Sequence, residues 1–218
     1  METQQPSGPH AGAQVYVAGT PLAEAQAAMI MIHGRGASAR EILSLRQLWR
    51  SDGIAYLAPQ AAGATWYPQR FMEPLEANEP WLSSALALLD GLVARVGEAG
   101  LSPERVVLLG FSQGACLATE FAARNARRWG GVVGLSGGLI GPDGTPRDYP
   151  GSLVATPIFL GCSDVDFHIP KERVIESAEV LKRLGGEVTM RLYPGMGHEV
   201  NQDEIAWVQA LVSGLTAK

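Results

Sequence analysis

The stretch LLGFSQGACLATEFA, residues 108–122, joins an apolar run to a helical pattern through a serine that lies between two glycines. The apolar run begins earlier, as RVVLLGF over 105–111, and lacks the alternation of a half-exposed strand. Such a run is typical of a strand that is covered on both faces. Residues 114–127 then repeat apolar side chains at helical spacing. The stretch therefore predicts a buried strand that turns sharply into a helix.

Similar units lie on both sides of this stretch. Further buried strands are predicted at 28–33, 54–58, 131–136 and 157–161, and alternating strands, typical of positions nearer a sheet edge, at 13–18 and 187–193. Helical patterns lie between them at 38–49, 79–96, 171–184 and 202–215. This alternation predicts an α/β fold, with about seven mostly parallel strands and helices on both faces of the sheet. Ligands of such sheets bind beyond the carboxyl ends of the strands.

Length and composition indicate one globular domain. The 218 residues are 46% hydrophobic and 18% charged, which suffices for a well-packed core. No repeat or long linker divides the chain, so we expect a single domain over 13–218 after a loose, Pro- and Gly-rich tail over 1–12. Strands and helices use most of the residues, and no separate cap domain is expected.

Charge, hydropathy and cysteine content indicate which partners and which cellular compartment to expect. A net charge of −5 without a Lys/Arg run argues against nucleic acid as a partner. No apolar run is long enough for a membrane span, and the first residues do not resemble a secretory signal. Cys116 and Cys162 are interpreted as free thiols, so we expect a cytoplasmic protein. A homodimer is left open.

The segment Gly110-Phe111-Ser112-Gln113-Gly114 matches the pattern G-x-S-x-G at the predicted junction of strand and helix. In a nucleophile elbow the tight turn exposes the serine hydroxyl, and flanking glycines avoid collisions with neighbouring backbone. The helix N-terminus also directs the backbone N–H of Gln113 at a developing oxyanion. The pattern therefore predicts Ser112 as a nucleophile.

A serine nucleophile needs a base and a carboxylate that orients the base. His198, in PGMGHEV, follows the last strand, and GCSDVDFHIP offers Asp164 or Asp166 after the preceding strand. The order serine, aspartate, histidine is that of α/β hydrolases. A metal site at Asp164, Asp166 and His168 is disfavoured because no second cluster completes a ligand set. We therefore expect no metal.

The segment MIHGRGASA presents a rival interpretation, because Gly34, Gly36 and Ala39 fit the dinucleotide-binding pattern G-x-G-x-x-A. Dinucleotide binding would require an acidic residue at the end of the next strand, which instead ends in Pro-Gln at 59–60. The same loop suits an oxyanion hole, with the backbone N–H of Arg35 as second donor. The Arg35 guanidinium is further expected to favour acidic or polar substrates.

The motifs HGRG, GFSQG, DFHIP and GMGHEV, spread over 33–200, resemble the phospholipase/carboxylesterase family of α/β hydrolases, relatives of acyl-protein thioesterases and lysophospholipases. The resemblance implies an α/β-hydrolase fold with Ser112 as nucleophile, Asp166 as acid and His198 as base. The spacing between the preceding glycine and the aspartate departs from the family pattern. Asp164 would satisfy that spacing and is the alternative acid.

Taken together, these patterns predict a serine hydrolase that cleaves carboxylic esters of short to medium acyl chains through an acyl-enzyme, without a cofactor. Acyl-protein thioesterase or lysophospholipase activity is the alternative within the family, and an oxidoreductase or a non-catalytic binding protein is the alternative outside it. The expected partner is a small-molecule ester. Substrate contacts are expected from the residues near the glycine-rich loop, which are His33, Trp66, Tyr67 and Phe71.

Overall fold

The computed structural model describes residues 8–50 and 52–217. In these residues the strands are β1 Val15–Gly19, β2 Ala27–Ile32, β3 Ile54–Pro59, β4 Val106–Phe111, β5 Gly131–Leu135, β6 Pro157–Ser163 and β7 Glu187–Tyr193. The helices are α1 Ala39–Ser44, α2 Trp81–Glu98, α3 Gln113–Arg124, α4 Lys171–Arg183 and α5 Gln202–Thr216. The predicted alternation of strands and helices is confirmed. Only the first helix is clearly shorter than predicted, because it continues as a 3₁₀ turn over Leu45–Leu48.

The seven strands form one sheet in the order β1-β3-β2-β4-β5-β6-β7. β1 is antiparallel to β3, and every other neighbouring pair is parallel, as the sequence predicted. β4 lies at the centre of the sheet. The loops after β4, β6 and β7 therefore meet at one edge, at the carboxyl ends of the strands.

Two apolar cores cover the two faces of the sheet. α2, α3 and α4 contribute to one core, and α1 and α5 contribute to the other. Along β4, Val106 and Leu108 belong to the first core, whereas Val107 and Leu109 belong to the second. Both faces of β4 are thus buried, which explains why its sequence is continuously apolar. Within the described residues no separate cap domain covers the sheet.

The start of the described chain differs from the predicted loose tail. Residues 1–7 lie outside the described part, but His10 is completely buried. Its Nε2 lies 2.9 Å from the Trp66 carbonyl oxygen, and its Nδ1 accepts the N–H of Ala62 at 3.2 Å. Its ring packs between the rings of Trp66 and Trp81, at 5.4 and 5.5 Å. The prediction is therefore wrong for this part, since two tryptophans from distant segments enclose the imidazole.

Both cysteines are buried and free, as predicted. Among the described residues, no helix is both long enough and apolar enough to cross a membrane.

Candidate active site

Ser112 lies between β4 and α3 with φ 55° and ψ −121°, a conformation that side-chain-bearing residues rarely adopt. The flanking glycines are required by close backbone contacts. A Cβ at Gly110 would lie 2.1 Å from the Gly114 carbonyl oxygen, and a Cβ at Gly114 would lie 2.1 Å from that of Ile32. The strained serine and its two glycines form the sharp turn that the G-x-S-x-G pattern predicted.

The structure brings Ser112, His198 and Asp166 together from three loops. His198 Nε2 lies 2.8 Å from Ser112 Oγ, and His198 Nδ1 lies 2.6 Å from Asp166 Oδ2. The other carboxylate oxygen of Asp166 accepts the backbone N–H groups of His168 at 2.8 Å and Ile169 at 3.1 Å. The aspartate is thus held on both oxygens, and the imidazole bridges it to the serine hydroxyl.

Electrostatics keep Asp166 ionised. Burial alone would raise its pKa, but the hydrogen bonds from His198 and from two backbone N–H groups outweigh burial, so its pKa lies below the ordinary value. A carboxylate at this position accepts the Nδ1–H of His198. Nε2 is then the unprotonated nitrogen that faces the Ser112 hydroxyl.

The alternative acid, Asp164, has a different partner. Its Oδ1 accepts the backbone N–H of Gly195 at 2.8 Å, on the loop that leads to His198. Its own N–H donates to the Tyr193 carbonyl at 3.1 Å. The structure therefore places Asp166 against the imidazole of His198. Asp164 instead links the loop after β6 to the loop after β7.

The two expected oxyanion donors lie in the cleft above Ser112. Arg35 and Gln113 both line it, and neither backbone N–H has an acceptor within the described part of the chain. The glycine-rich loop contacts the nucleophile closely, since a Cβ at Gly34 would lie 3.3 Å from the Ser112 Cβ. Two free N–H groups beside a serine hydroxyl can bind an oxyanion.

The side chain of Arg35 lines the cleft but also binds backbone carbonyls of the protein itself. Its guanidinium donates to the carbonyl oxygens of Pro68 at 2.7 Å and Tyr67 at 3.0 Å, and also to that of Gln69. These donors hold the loop after β3 in place. The side chain of Gln113 binds the same loop, because its Nε2 donates to the Tyr67 carbonyl at 2.8 Å. Sequence reasoning missed both side-chain contacts.

The cleft has a volume of about 650 Å³, and only half of the predicted substrate contacts line it. Tyr67 and Phe71 do, but His33 and Trp66 are completely buried behind it, so the prediction is wrong for those two. The Trp66 indole N–H donates to the His33 carbonyl at 2.7 Å, and His33 Nε2 accepts the Ala61 N–H at 3.1 Å. Burial lowers the pKa of His33. Both side chains support the loops that form the cleft.

Other cleft residues were not predicted as contacts. Phe167 is 78% exposed and Arg70 is exposed, and both line the cleft. The His168 ring lies edge-on to His198, at 5.0 Å between centroids. Cys116 also lines the cleft, but burial raises the pKa of its thiol to about 12, which makes it a poor nucleophile. The sequence signal that could have predicted Phe167 and His168 as cleft residues is their position directly after the candidate acid Asp166.

The described residues contain no group of three or more His, Cys, Asp or Glu arranged to hold a metal ion. Asp164, Asp166 and His168, weighed above as a metal set, are engaged in the loop contacts already described.

The fold and the serine–histidine–aspartate geometry define an α/β hydrolase. Comparison with known proteins gives the family: a phospholipase/carboxylesterase profile matches residues 16–215, and the chain belongs to this family of serine hydrolases. An acyl-protein thioesterase 1 of Gibberella zeae is 29% identical over 210 residues, covering 85% of this chain and 89% of the relative. A lysophospholipase-like protein 1 of Mus musculus is 26% identical, covering 90% of this chain and 92% of the relative.

A solved structure of a phospholipase/carboxylesterase is also similar to this chain. The crystal structure of a phospholipase/carboxylesterase from Dyadobacter fermentans is 39% identical and superimposes with a TM-score of 0.90. The match covers 95% of this chain and 99% of that one. The likeness therefore extends over nearly the whole chain.

Proposed function

We propose that this protein is a serine esterase that hydrolyses carboxylic esters through an acyl-enzyme, with Ser112 as nucleophile, His198 as base and Asp166 as the orienting acid. One observation carries the proposal: the Ser112 hydroxyl lies 2.8 Å from an imidazole whose other nitrogen lies 2.6 Å from a buried carboxylate. This arrangement activates a hydroxyl that is otherwise a weak nucleophile.

In the first half of the reaction, His198 Nε2 takes the hydroxyl proton as Ser112 Oγ attacks the ester carbonyl. The backbone N–H groups of Arg35 and Gln113 bind the oxygen of the tetrahedral intermediate, and one such donor is worth roughly 3–4 kcal/mol in a well-studied protease. The imidazolium then gives the proton to the departing alcohol. In the second half, His198 activates a water molecule that releases the acid from Ser112.

The form of the cleft favours short and medium acyl chains. With no cap domain over the described sheet, the cleft of about 650 Å³ is formed by loops alone. Because such a cleft is open to solvent, a long acyl chain would leave much of its apolar surface in contact with water, and the added methylene groups would contribute little to binding. Thioesters and lysophospholipids remain a second candidate class, because relatives of 29% and 26% identity bear the names acyl-protein thioesterase and lysophospholipase-like protein.

Contacts at the start of α1 disfavour the dinucleotide alternative. A pyrophosphate would bind at this helix N-terminus. Here the Ser38 N–H donates to Glu41 Oε2 at 2.6 Å, and the Ala39 N–H donates to Gln60 Oε1 at 2.9 Å. These two donors are occupied, and the Glu41 carboxylate would repel phosphate.

The proposal is tested with p-nitrophenyl esters of increasing chain length and with a matched thioester series. We expect kcat/KM to be greatest for short or medium acyl esters and to fall by several orders of magnitude in Ser112→Ala. A fluorophosphonate should label the peptide that contains Ser112. Labelling at Cys116 or Ser136, or undiminished hydrolysis by Ser112→Ala, would contradict the assignment. Higher kcat/KM on the thioesters would favour the second candidate class.

A further inference from the structure

The charge of the cleft is opposite to that of the whole chain. The protein has 22 acidic and 17 Lys/Arg residues, yet no Asp or Glu is among the described residues that line the cleft. Two arginines, Arg35 and Arg70, and two histidines, His168 and His198, line it instead. A cleft lined by two guanidinium groups and by no carboxylate attracts anionic molecules and raises their local concentration.

The two arginines differ in what they bind. The guanidinium of Arg35 is committed to the carbonyl oxygens of the loop after β3. The side chain of Arg70 is exposed, and within residues 8–50 and 52–217 it has no hydrogen-bond or ion-pair partner. Arg70 is therefore the cleft guanidinium whose five N–H donors all lack an acceptor within the described residues, whereas Arg35 uses three of its five donors for backbone carbonyls.

The backbone that carries Arg70 is fixed although its side chain is free. Asn78, which is completely buried, donates through Nδ2 to the Arg70 carbonyl at 3.2 Å. The Oδ1 of Asn78 accepts the Gln69 N–H at 2.8 Å. Together with the Arg35 guanidinium, these contacts hold the loop from both ends. A guanidinium on a fixed loop loses less conformational freedom on binding than one on a mobile loop.

We infer that the preferred substrate is an ester that also carries a carboxylate, and that the Arg70 guanidinium binds this carboxylate while the ester lies at Ser112. A carboxylate presents two oxygens and one charge, which match the fork of a single unpaired guanidinium. The cleft is otherwise rich in apolar and aromatic side chains, among them Phe71, Phe111 and Phe167, which suit the organic part of such a molecule. This inference rests on the proposed esterase function and names its substrate class.

The test compares esters that differ only in charge. The first pair is the 4-nitrophenyl ester of adipic acid with a free second carboxylate and the same ester with that carboxylate methylated. The second pair places the charge on the alcohol: the hexanoyl ester of 3-hydroxybenzoate and the hexanoyl ester of methyl 3-hydroxybenzoate. Spontaneous hydrolysis is subtracted for each. We expect the wild-type protein to favour the anionic member of at least one pair, and the pair that responds tells whether the acyl or the alcohol part faces Arg70.

Arg70→Gln should lower the ratio of kcat/KM for the anionic over the neutral ester by about five- to tenfold, as expected for a charged hydrogen bond at a partly exposed site. Arg70→Lys keeps the charge and should recover part of the ratio. Arg183→Gln is the matched control, since α4 carries this exposed residue to the sheet edge opposite the cleft, and it should leave the ratio unchanged.

Two results would overturn the inference: no preference for either anionic ester in the wild-type protein, or an unchanged ratio in Arg70→Gln. Hydrolysis of the neutral esters with loss of activity in Ser112→Ala would then still support the esterase function. Failure to hydrolyse any of the four esters, together with no fluorophosphonate labelling, would instead contradict the proposed function itself. The two failures are thus distinguishable.

Discussion

Asp164 and Asp166 lie two residues apart on one loop, and their carboxylates bind different loops. Asp166 lies 2.6 Å from His198 Nδ1, whereas Asp164 accepts the N–H of Gly195 at 2.8 Å. The first contact orients an imidazole, and the second fixes the segment that carries this imidazole. The sequence left these two aspartates as alternatives for the catalytic acid. In the structure they have different partners, so their effects on catalysis can be separated by mutation.

Replacing each aspartate by asparagine separates the two effects. Asp166→Asn should lower kcat by about 10⁴, as in the serine-protease example, because the amide no longer holds His198 in the required tautomer. Asp164→Asn should lower kcat by less than about tenfold, since the amide oxygen still accepts the Gly195 N–H. Steady-state kinetics on one p-nitrophenyl ester measures both. A greater loss in Asp164→Asn would reverse the assignment.

The second glycine of the elbow provides a test of the local structure. In Gly114→Ala the new Cβ would lie 2.1 Å from the Ile32 carbonyl oxygen, so β2 and α3 must separate. We expect destabilisation by more than about 2 kcal/mol, as for overpacked cores, together with loss of activity. Gly91→Ala in α2 is the control, because a Cβ there meets nothing within 4 Å. It should be neutral or stabilise by up to about 1 kcal/mol in urea unfolding. A well-folded, active Gly114→Ala would contradict this account of the turn.

The elements and the nucleophile were predictable because they depend on local patterns. The apolar run of β4 and the G-x-S-x-G motif fix a buried strand, a sharp turn and an exposed hydroxyl within ten residues of sequence. A spacing of three residues between Asn201 and Glu204 is likewise typical of a capping box at the start of α5, and both hydrogen bonds of this box are present. The catalytic order along the chain follows from the topology of the sheet.

Side-chain direction was not predictable in the same way. The segment after β3 contains Trp66, Tyr67 and Phe71, and nothing in their order tells which ring faces the cleft and which faces the core. Trp66 turns inward because the His33 carbonyl accepts its indole N–H. The sequence does not single out Arg70, because the structure alone shows that its guanidinium lacks an acceptor among the described residues whereas that of Arg35 binds backbone carbonyls. Both outcomes depend on contacts between residues more than thirty positions apart.

The buried histidine near the start of the described chain should contribute to stability. His10→Ala removes two hydrogen bonds and the packing between two tryptophans, so we expect a loss of about 2–3 kcal/mol at neutral pH. Ala11→Ser at the exposed neighbouring position is the control and should change stability by less than about 0.5 kcal/mol. An equal, small effect of both substitutions in urea unfolding would restore the prediction of a loose tail.

The effect of His10→Ala should also depend on pH. Burial lowers the pKa of His10 below its ordinary value of 6.5, although the Trp66 carbonyl partly opposes this. A group with a depressed pKa stabilises the fold above its unfolded-state pKa, and this contribution is lost as the pH falls through the folded-state value. The wild-type protein and His10→Ala should therefore differ less at pH 5 than at pH 7.5. A difference that grows on acidification would contradict the stated direction.

Glu204 should have the opposite pH dependence. It is completely buried in the first turn of α5, and burial raises its pKa to about 7, with the Asn201 N–H opposing and Asp203 adding to the shift. An acid whose folded-state pKa is raised contributes stability that is full below its unfolded-state pKa and is lost as the pH rises through the folded-state value. For Glu204 this window extends from about pH 4.5 to about pH 7.

Glu204→Gln removes the ionisation but retains an oxygen that can accept the Asn201 N–H. Between pH 4.5 and pH 8.5 the stability of Glu204→Gln relative to the wild-type protein should therefore rise by about 3 kcal/mol, since the pKa of Glu204 rises from 4.5 to about 7 and each pKa unit corresponds to about 1.4 kcal/mol. Glu41→Gln, at the same position of the exposed capping box of α1, is the matched control and should show no such rise. Urea unfolding of the three proteins at both pH values measures the difference. A pH-independent gap between Glu204→Gln and the wild-type protein would mean that folding does not raise the pKa of the Glu204 carboxyl.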